Sequence, residues 1–172
     1  PISSDISQSG IQMSQTLDAV LSVGHQTFVS YPNSDSGSHD IIAAIEERRD
    51  NPNLHIFQTL PDVPFVNLLR GASVLVGNSS LGILEAPFLR LPAINVGFRQ
   101  ELRHHAENVF FVPNDQKRIV DQITSILSDE SVRQRVKHCD NPFGDGHTGD
   151  RVAKLLAETP LDQKLMNKQL TY

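Results

Sequence analysis

A doubly wound, Rossmann-like parallel α/β sheet is the fold class predicted by this 172-residue sequence, and three observations predict it. Short, nearly continuous apolar runs (TFVSYP, LHIF, SVLVG, PAINVG and VFFV) alternate with segments of helical period. Strands apolar on both sides are those covered on both faces, as in parallel sheets joined by right-handed crossovers. The single cysteine, Cys139, cannot close an internal disulfide, so the fold rests on a hydrophobic core. A chain of this length can build one, burying roughly two-thirds of its unfolded surface.

The elements follow in order. From Gln8 to Val23, Ile11, Leu17, Val20 and Leu21 recur at mostly helical spacing, and TFVSYP then forms a strand closed by proline. SDSGSHDIIAAIEERRD places acids early and Arg48 and Arg49 late, which complements a helix macrodipole. LHIF, PDVPFVNLLRGA and SVLVG read as strand, helix and strand, and LGILEAPFLRL with PAINVG repeats helix then strand. VFFV is a fifth strand, followed by helical patterns in DQKRIVDQITSILSDE, ESVRQRVKH and TGDRVAKLLAET. Residues 1–172 are expected to form one lobe, with a tail helix over 160–172.

Charge narrows the function. Fifteen Lys and Arg stand against 20 Asp and Glu, and a net charge of −5 leaves no basic footprint for nucleic acid. The first basic residue is Arg48, so an anionic ligand meets cationic side chains only in the later part of the chain. No apolar run approaches the roughly 18 residues of a membrane span, and the start of the chain lacks a signal peptide's basic and apolar regions. With one cysteine, these features indicate a reducing, cytoplasmic setting. His25, His39, His55, His104, His105, His138 and His147 show no zinc-ligand spacing, so neither a metal nor a cofactor is expected. GxGxxG, GxxxxGK[ST] and G-x-S-x-G motifs are all absent, which removes the main support for dehydrogenase, P-loop and hydrolase readings.

In doubly wound sheets ligands bind beyond the carboxyl ends of the strands. Here those ends are polar: YPNSDSGS, QTLPDVPF, GNSSLG and GFRQ. VLVGNSS runs from a strand directly into a helix with Ser79 or Ser80 at its N-cap, an arrangement that offers backbone N–H groups and hydroxyls to an anion. Gly82 would admit a ligand closely, and Glu85 follows three residues on, placed to accept hydrogen bonds from sugar hydroxyls. Phosphate at the serines and ribose at Glu85 together describe a nucleotide. Ordinary capping by Ser80 and macrodipole compensation by Glu85 explain the same residues without a ligand. Arg99 is a planar cation suited to phosphate or an ordinary solvated surface residue, Asn33 offers an amide to a base or hydroxyl or serves ordinary turn chemistry, and Phe65 either stacks on a base or packs as core.

The ordered segments FVSYPNSDSGS, GNSSLGILEAPFLRLPAINVGFRQ and NPFGDGHTGDRV resemble the C-terminal half of UDP-N-acetylglucosamine 2-epimerases, above all the hydrolysing branch that feeds sialic acid and related nonulosonic acids. The resemblance runs from about residue 25 to 158. It implies the C-terminal, nucleotide-binding lobe of a two-lobed enzyme of the GT-B type. By resemblance, Ser79 and Ser80 hold the diphosphate, Glu85 the ribose hydroxyls, Arg99 the nucleotide phosphates and Asn33 the nucleotide, with Phe65 near the uracil. Leu81, Phe98, Leu102 and His147 depart from the family pattern and bear on substrate choice.

The implied chemistry is elimination of UDP to a 2-acetamidoglucal followed by addition of water, giving N-acetylmannosamine. The residues that move protons are expected mainly on the N-terminal lobe, so this chain alone would bind UDP or a UDP-2-acetamido sugar with little turnover. The implied partners are that lobe and, through any apolar surface it leaves uncovered, a second copy. A non-catalytic UDP-sugar sensor and a GT-B glycosyltransferase lobe are the alternatives from other functional classes.

Overall fold

Every strand runs parallel to its neighbour, so every connection between paired strands is a crossover. A computed structural model describes residues 7–167, with eight helices and five strands among them, and divides the chain into two compact units at Asp140.

In the first unit the order is α1 (Ser9–Ser22), β1 (Thr27–Ser30), α2 (Ser38–Glu46), β2 (Leu54–Phe57), α3 (Asp62–Gly71), β3 (Leu75–Gly77), α4 (Leu81–Leu84), β4 (Ala93–Val96), β5 (Val109–Val112), α5 (Gln116–Ser128) and α6 (Glu130–Lys137). The second unit holds α7 (Thr148–Glu158) and α8 (Gln163–Met166). The tail helix expected over 160–172 is therefore a single turn at α8, and residues 168–172 lie outside those described.

All five expected strands form, but over two sheets rather than one. β1 pairs with β2 (Thr27 opposite Leu54, Ser30 opposite Phe57), while β3, β4 and β5 form a separate sheet with Leu75 opposite Ala93 and Ala93 opposite Val109. The central strand β4 is buried along its whole length, as a parallel strand covered on both faces must be. Ile94 and Val96 face Ile119, Ile123 and Ile126, which recur at helical spacing along α5. Asp115 caps that helix, its carboxylate accepting from the Arg118 N–H at 2.9 Å. On the opposite face Ala93 packs with Leu69, Ala86 and Leu91. A third cluster joins Leu17 of α1 and Ile45 of α2 to Leu54 of β2.

The helix expected through LGILEAPFLRL stops after Leu84. Pro87 has no N–H to continue the ladder, and residues 85–90 instead form successive tight turns, with Arg90 in the left-handed region at φ 54°. Asn108 holds this irregular stretch: fully buried, its Nδ2 donates to the carbonyls of Gly82 (3.2 Å) and Leu91 (3.0 Å). Replacing it with alanine strands those buried acceptors, so Asn108→Ala should lower the unfolding free energy by about 1–3 kcal/mol in urea titration. Gly82→Val, which places a branched side chain about 3 Å from the Ala93 Cβ, should cost a similar ~1–3 kcal/mol through overpacking.

Candidate functional site

Because β3 and β4 are parallel, with Gly77 opposite Asn95, the loops that leave them emerge at the same edge of their sheet. The first is Asn78–Ser79–Ser80. Ser79 is exposed, and its hydroxyl accepts from the Leu81 N–H at 3.3 Å, while the Ser80 carbonyl accepts from Ile83 and Leu84. Ser79 rather than Ser80 therefore supplies the capping side chain, although Ser80 occupies the cap position. The backbone N–H groups of Ser79 and Ser80 have no acceptor among the described residues.

The second loop carries Arg99, exposed three residues after β4. It lines a cavity of about 380 Å³ together with Asn78, Phe98, Glu101, Phe111 and Asn114, within the size range of small-molecule sites. Gln100, 3% exposed, locks the two loops together: its Nε2 donates to the Asn78 carbonyl at 3.0 Å, and its Oε1 accepts from Arg103 at 3.0 Å. Sequence reasoning gave Gln100 no role. The available signal was a neutral amide immediately after Arg99, where a solvent-facing loop has no need of one.

The other expected residues are placed less closely together. Glu85 is exposed at the end of the one-turn helix α4. Phe65, on α3, is half-buried against the cluster of Leu69, Ala86, Leu91 and Ala93. Asn33 is exposed beyond the carboxyl end of β1, in the other sheet. Gly82 does not open the loop to a ligand as expected. It is buried, and a Cβ there would lie 3.1 Å from that of Ala93, so the missing side chain lets α4 approach the sheet. Beside it Asn95 is buried, with both side-chain amide atoms unpartnered among the described residues, lining a void of about 30 Å³ shared with Gly77, Ser79 and Gly82. That volume has room for roughly one water. Cys139 is buried, and desolvation pushes its thiol pKa up, which makes it a poor nucleophile.

In the second unit the FGDG segment forms a tight turn ahead of α7. Gly144 (φ 115°) and Gly146 (φ 88°) supply backbone conformations that side-chain-bearing residues resist, and the Asn141 amide bridges the turn by donating to the Gly144 carbonyl. Arg151 grips Asp145 through two bonds of 2.8 and 2.6 Å, which, with the His147 N–H, lowers the Asp145 pKa to about 2. No helix among the described residues is long and apolar enough to cross a membrane.

Comparisons with known proteins place this geometry in context. The sequence profile of a family described as UDP-N-acetylglucosamine 2-epimerase matches residues 4–157. The hydrolysing UDP-N,N'-diacetylbacillosamine 2-epimerase of Legionella pneumophila is 34% identical over all 172 residues of the chain, which span 44% of that protein. The UDP-N-acetylglucosamine 2-epimerase of Neisseria meningitidis is 34% identical over 109 residues, 63% of this chain and 29% of its own length. Among solved structures, the UDP-GlcNAc 2-epimerase of Methanocaldococcus jannaschii, in complex with UDP-GlcNAc and UDP, superposes over 87% of this chain and 41% of its own with a TM-score of 0.67 at 16% identity. The chain thus spans less than half the length of the relatives it matches.

The Asp145 carboxyl should titrate in NMR with a midpoint of about 2, and higher in Arg151→Ala, where the His147 N–H remains to lower it. Because the folded pKa is the depressed one, the turn's ion pair is intact above the ordinary carboxylate range and is lost as pH falls from about 4 towards 2.

Proposed function

The chain belongs to the UDP-N-acetylglucosamine 2-epimerase family, and from that membership we propose that it is the C-terminal, UDP-binding half of such an enzyme. The observation that carries this reading is the shared edge of β3 and β4. One loop there presents unpartnered backbone N–H groups and two serine hydroxyls, the next presents Arg99, and a buried glutamine fixes one against the other. Backbone donors and a planar guanidinium are the groups that bind a diphosphate. Ser79 and Ser80 contact the diphosphate, Arg99 neutralises it, Glu85 accepts from the ribose hydroxyls, and Asn33 and Phe65 contact the nucleotide and its uracil.

The reaction is of the hydrolysing type, supported by the 34% identity to the Legionella enzyme of that description. The substrate is UDP-N-acetylglucosamine or a related UDP-2-acetamido sugar. As the bond between the sugar's C1 and the diphosphate oxygen breaks, both electrons go to the leaving UDP, whose charge grows on the oxygen released from C1. Donors fixed in advance around that oxygen bind the transition state more tightly than the ground state. Proton removal from C2, delivery of water and positioning of the sugar belong to the N-terminal lobe, so residues 1–172 alone bind UDP without appreciable turnover. The cytoplasm, where nucleotide sugars are made, is the setting this reading assigns.

Calorimetric titration of UDP into the chain should give saturable binding. Ser80→Ala and Glu85→Ala should each weaken it by about 10-fold, the equivalent of one hydrogen bond, and Arg99→Ala by about 10- to 100-fold. Absence of binding by the unsubstituted chain, or affinity unchanged by all three substitutions, would overturn the reading.

A further inference from the structure

A buried amide interrupts the apolar core at β4. Asn95 lies in the strand that is buried along its whole length and is itself 4% exposed. Strand alternation turns it away from the side of Ile94 and Val96, which face α5, and onto the side of Ala93, beneath α4 and the loop that precedes it. The buried amides of Gln100 and Asn108 both donate to main-chain carbonyls, whereas neither Oδ1 nor Nδ2 of Asn95 has a partner among the described residues. Leucine has a similar branched outline and would fill such a position without stranding a donor or an acceptor.

The surroundings of that amide narrow its role. Asn95 stands opposite Gly77, the last residue of β3, and the void of about 30 Å³ that it lines is shared with Gly77, Ser79, Gly82 and Ile83. Of the described side chains lining it, those of Asn95 and Ser79 alone carry hydrogen-bonding groups. Ser79 Oγ accepts from the Leu81 N–H at 3.3 Å, which leaves it one lone pair and its own O–H. The void has room for roughly one water, and a buried water forms about three hydrogen bonds. A primary amide presents a donor and an acceptor side by side, so a single water can accept from Nδ2, donate to Oδ1 and keep its second hydrogen for Ser79.

We propose that Asn95 is a positioning residue for the diphosphate site, acting on Ser79 through one water held in this void. With both lone pairs of Oγ engaged, one by the Leu81 N–H and the other by the water, the hydroxyl hydrogen of the exposed Ser79 is left to point outward. An outward donor is what a phosphate oxygen accepts from, and a hydroxyl oriented in advance spares the ligand the cost of ordering it. A water in this place is as effective a link as a direct hydrogen bond, and it spans a gap that the asparagine side chain does not bridge itself. This role rests on the reading of the β3 and β4 edge as the UDP site.

Three measurements on the 172-residue chain test the proposal. In nuclear Overhauser spectra of the unsubstituted chain, which need no variant, the Asn95 side-chain amide should show contact to a long-lived water. Asn95→Leu should unfold at a temperature no lower than the unsubstituted chain, because donor and acceptor are removed together, yet bind UDP about 10-fold more weakly in calorimetry. In a Ser79→Ala background the same substitution should weaken binding no further, since the route from Asn95 to the ligand is already cut. Absence of the water contact, UDP affinity unchanged in Asn95→Leu, or losses that add fully in the double variant would each overturn the proposal and leave the UDP site standing. Weaker binding accompanied by a lowered unfolding temperature would make Asn95 a packing residue and overturn it as well. Absence of UDP binding by the unsubstituted chain would overturn the site itself, and this role with it.

Discussion

Parallel pairing of β3, β4 and β5 is the constraint on which the rest of the structure depends. Antiparallel strands could have been joined by tight hairpins that alternate between the two ends of the sheet. Parallel strands send every carboxyl-terminal loop to one edge and require a crossover between each pair. The polar residues after β3 and β4 therefore accumulate at that edge, although 20 residues separate Ser79 from Arg99 in sequence. The crossovers bury both faces of the sheet, which is why β4 can be AINV with no alternation and why α5 carries a single isoleucine stripe.

That framework leaves polar side chains to hold what repeating hydrogen bonds do not. Between β4 and β5 residues 97–108 cross without a helix, and within α4 the ladder fails after one turn. Gln100 and Asn108, both buried, stand at these places and satisfy main-chain carbonyls of neighbouring segments. The exposed Arg99 sits beside one of these anchors, so its backbone is fixed while its side chain remains free to meet an anion. Electrostatically the edge is suited to phosphate through dipoles and one guanidinium rather than through a basic surface, in keeping with a chain of net charge −5.

Much of this was legible in the sequence because it depends on local periodicity. The strands TFVS, LHIF and VFFV and helices α1, α5 and α7 lie where apolar spacing places them. Apolar spacing through LGILEAPFLRL carries a helical pattern past Pro87, where the helix itself stops, and nothing local to Gly82 reveals that Ala93, eleven residues on, lies against it. The roles of Gln100, Asn95 and Asn108 are tertiary: each is a neutral amide whose partner, or lack of one, depends on a segment brought close only by folding. Division into two sheets was equally invisible, since apolar runs mark strands but not their neighbours. For the site, the residue types at the strand ends were readable, whereas their convergence depends on the register of β3 against β4.

The central claim is that the carboxyl edge of β3 and β4 is where UDP binds. Chemical-shift mapping of the isotope-labelled chain during UDP titration tests it most directly, because it locates the ligand as well as detecting it. The account predicts saturable shifts at the amides of Ser79, Ser80 and Arg99 and in the side chain of Glu85, with little change at Thr27, Leu54 or Ala93, which lie away from the carboxyl-edge loops. Shifts confined to the helix faces or to the second unit, or none at saturating UDP, would contradict it.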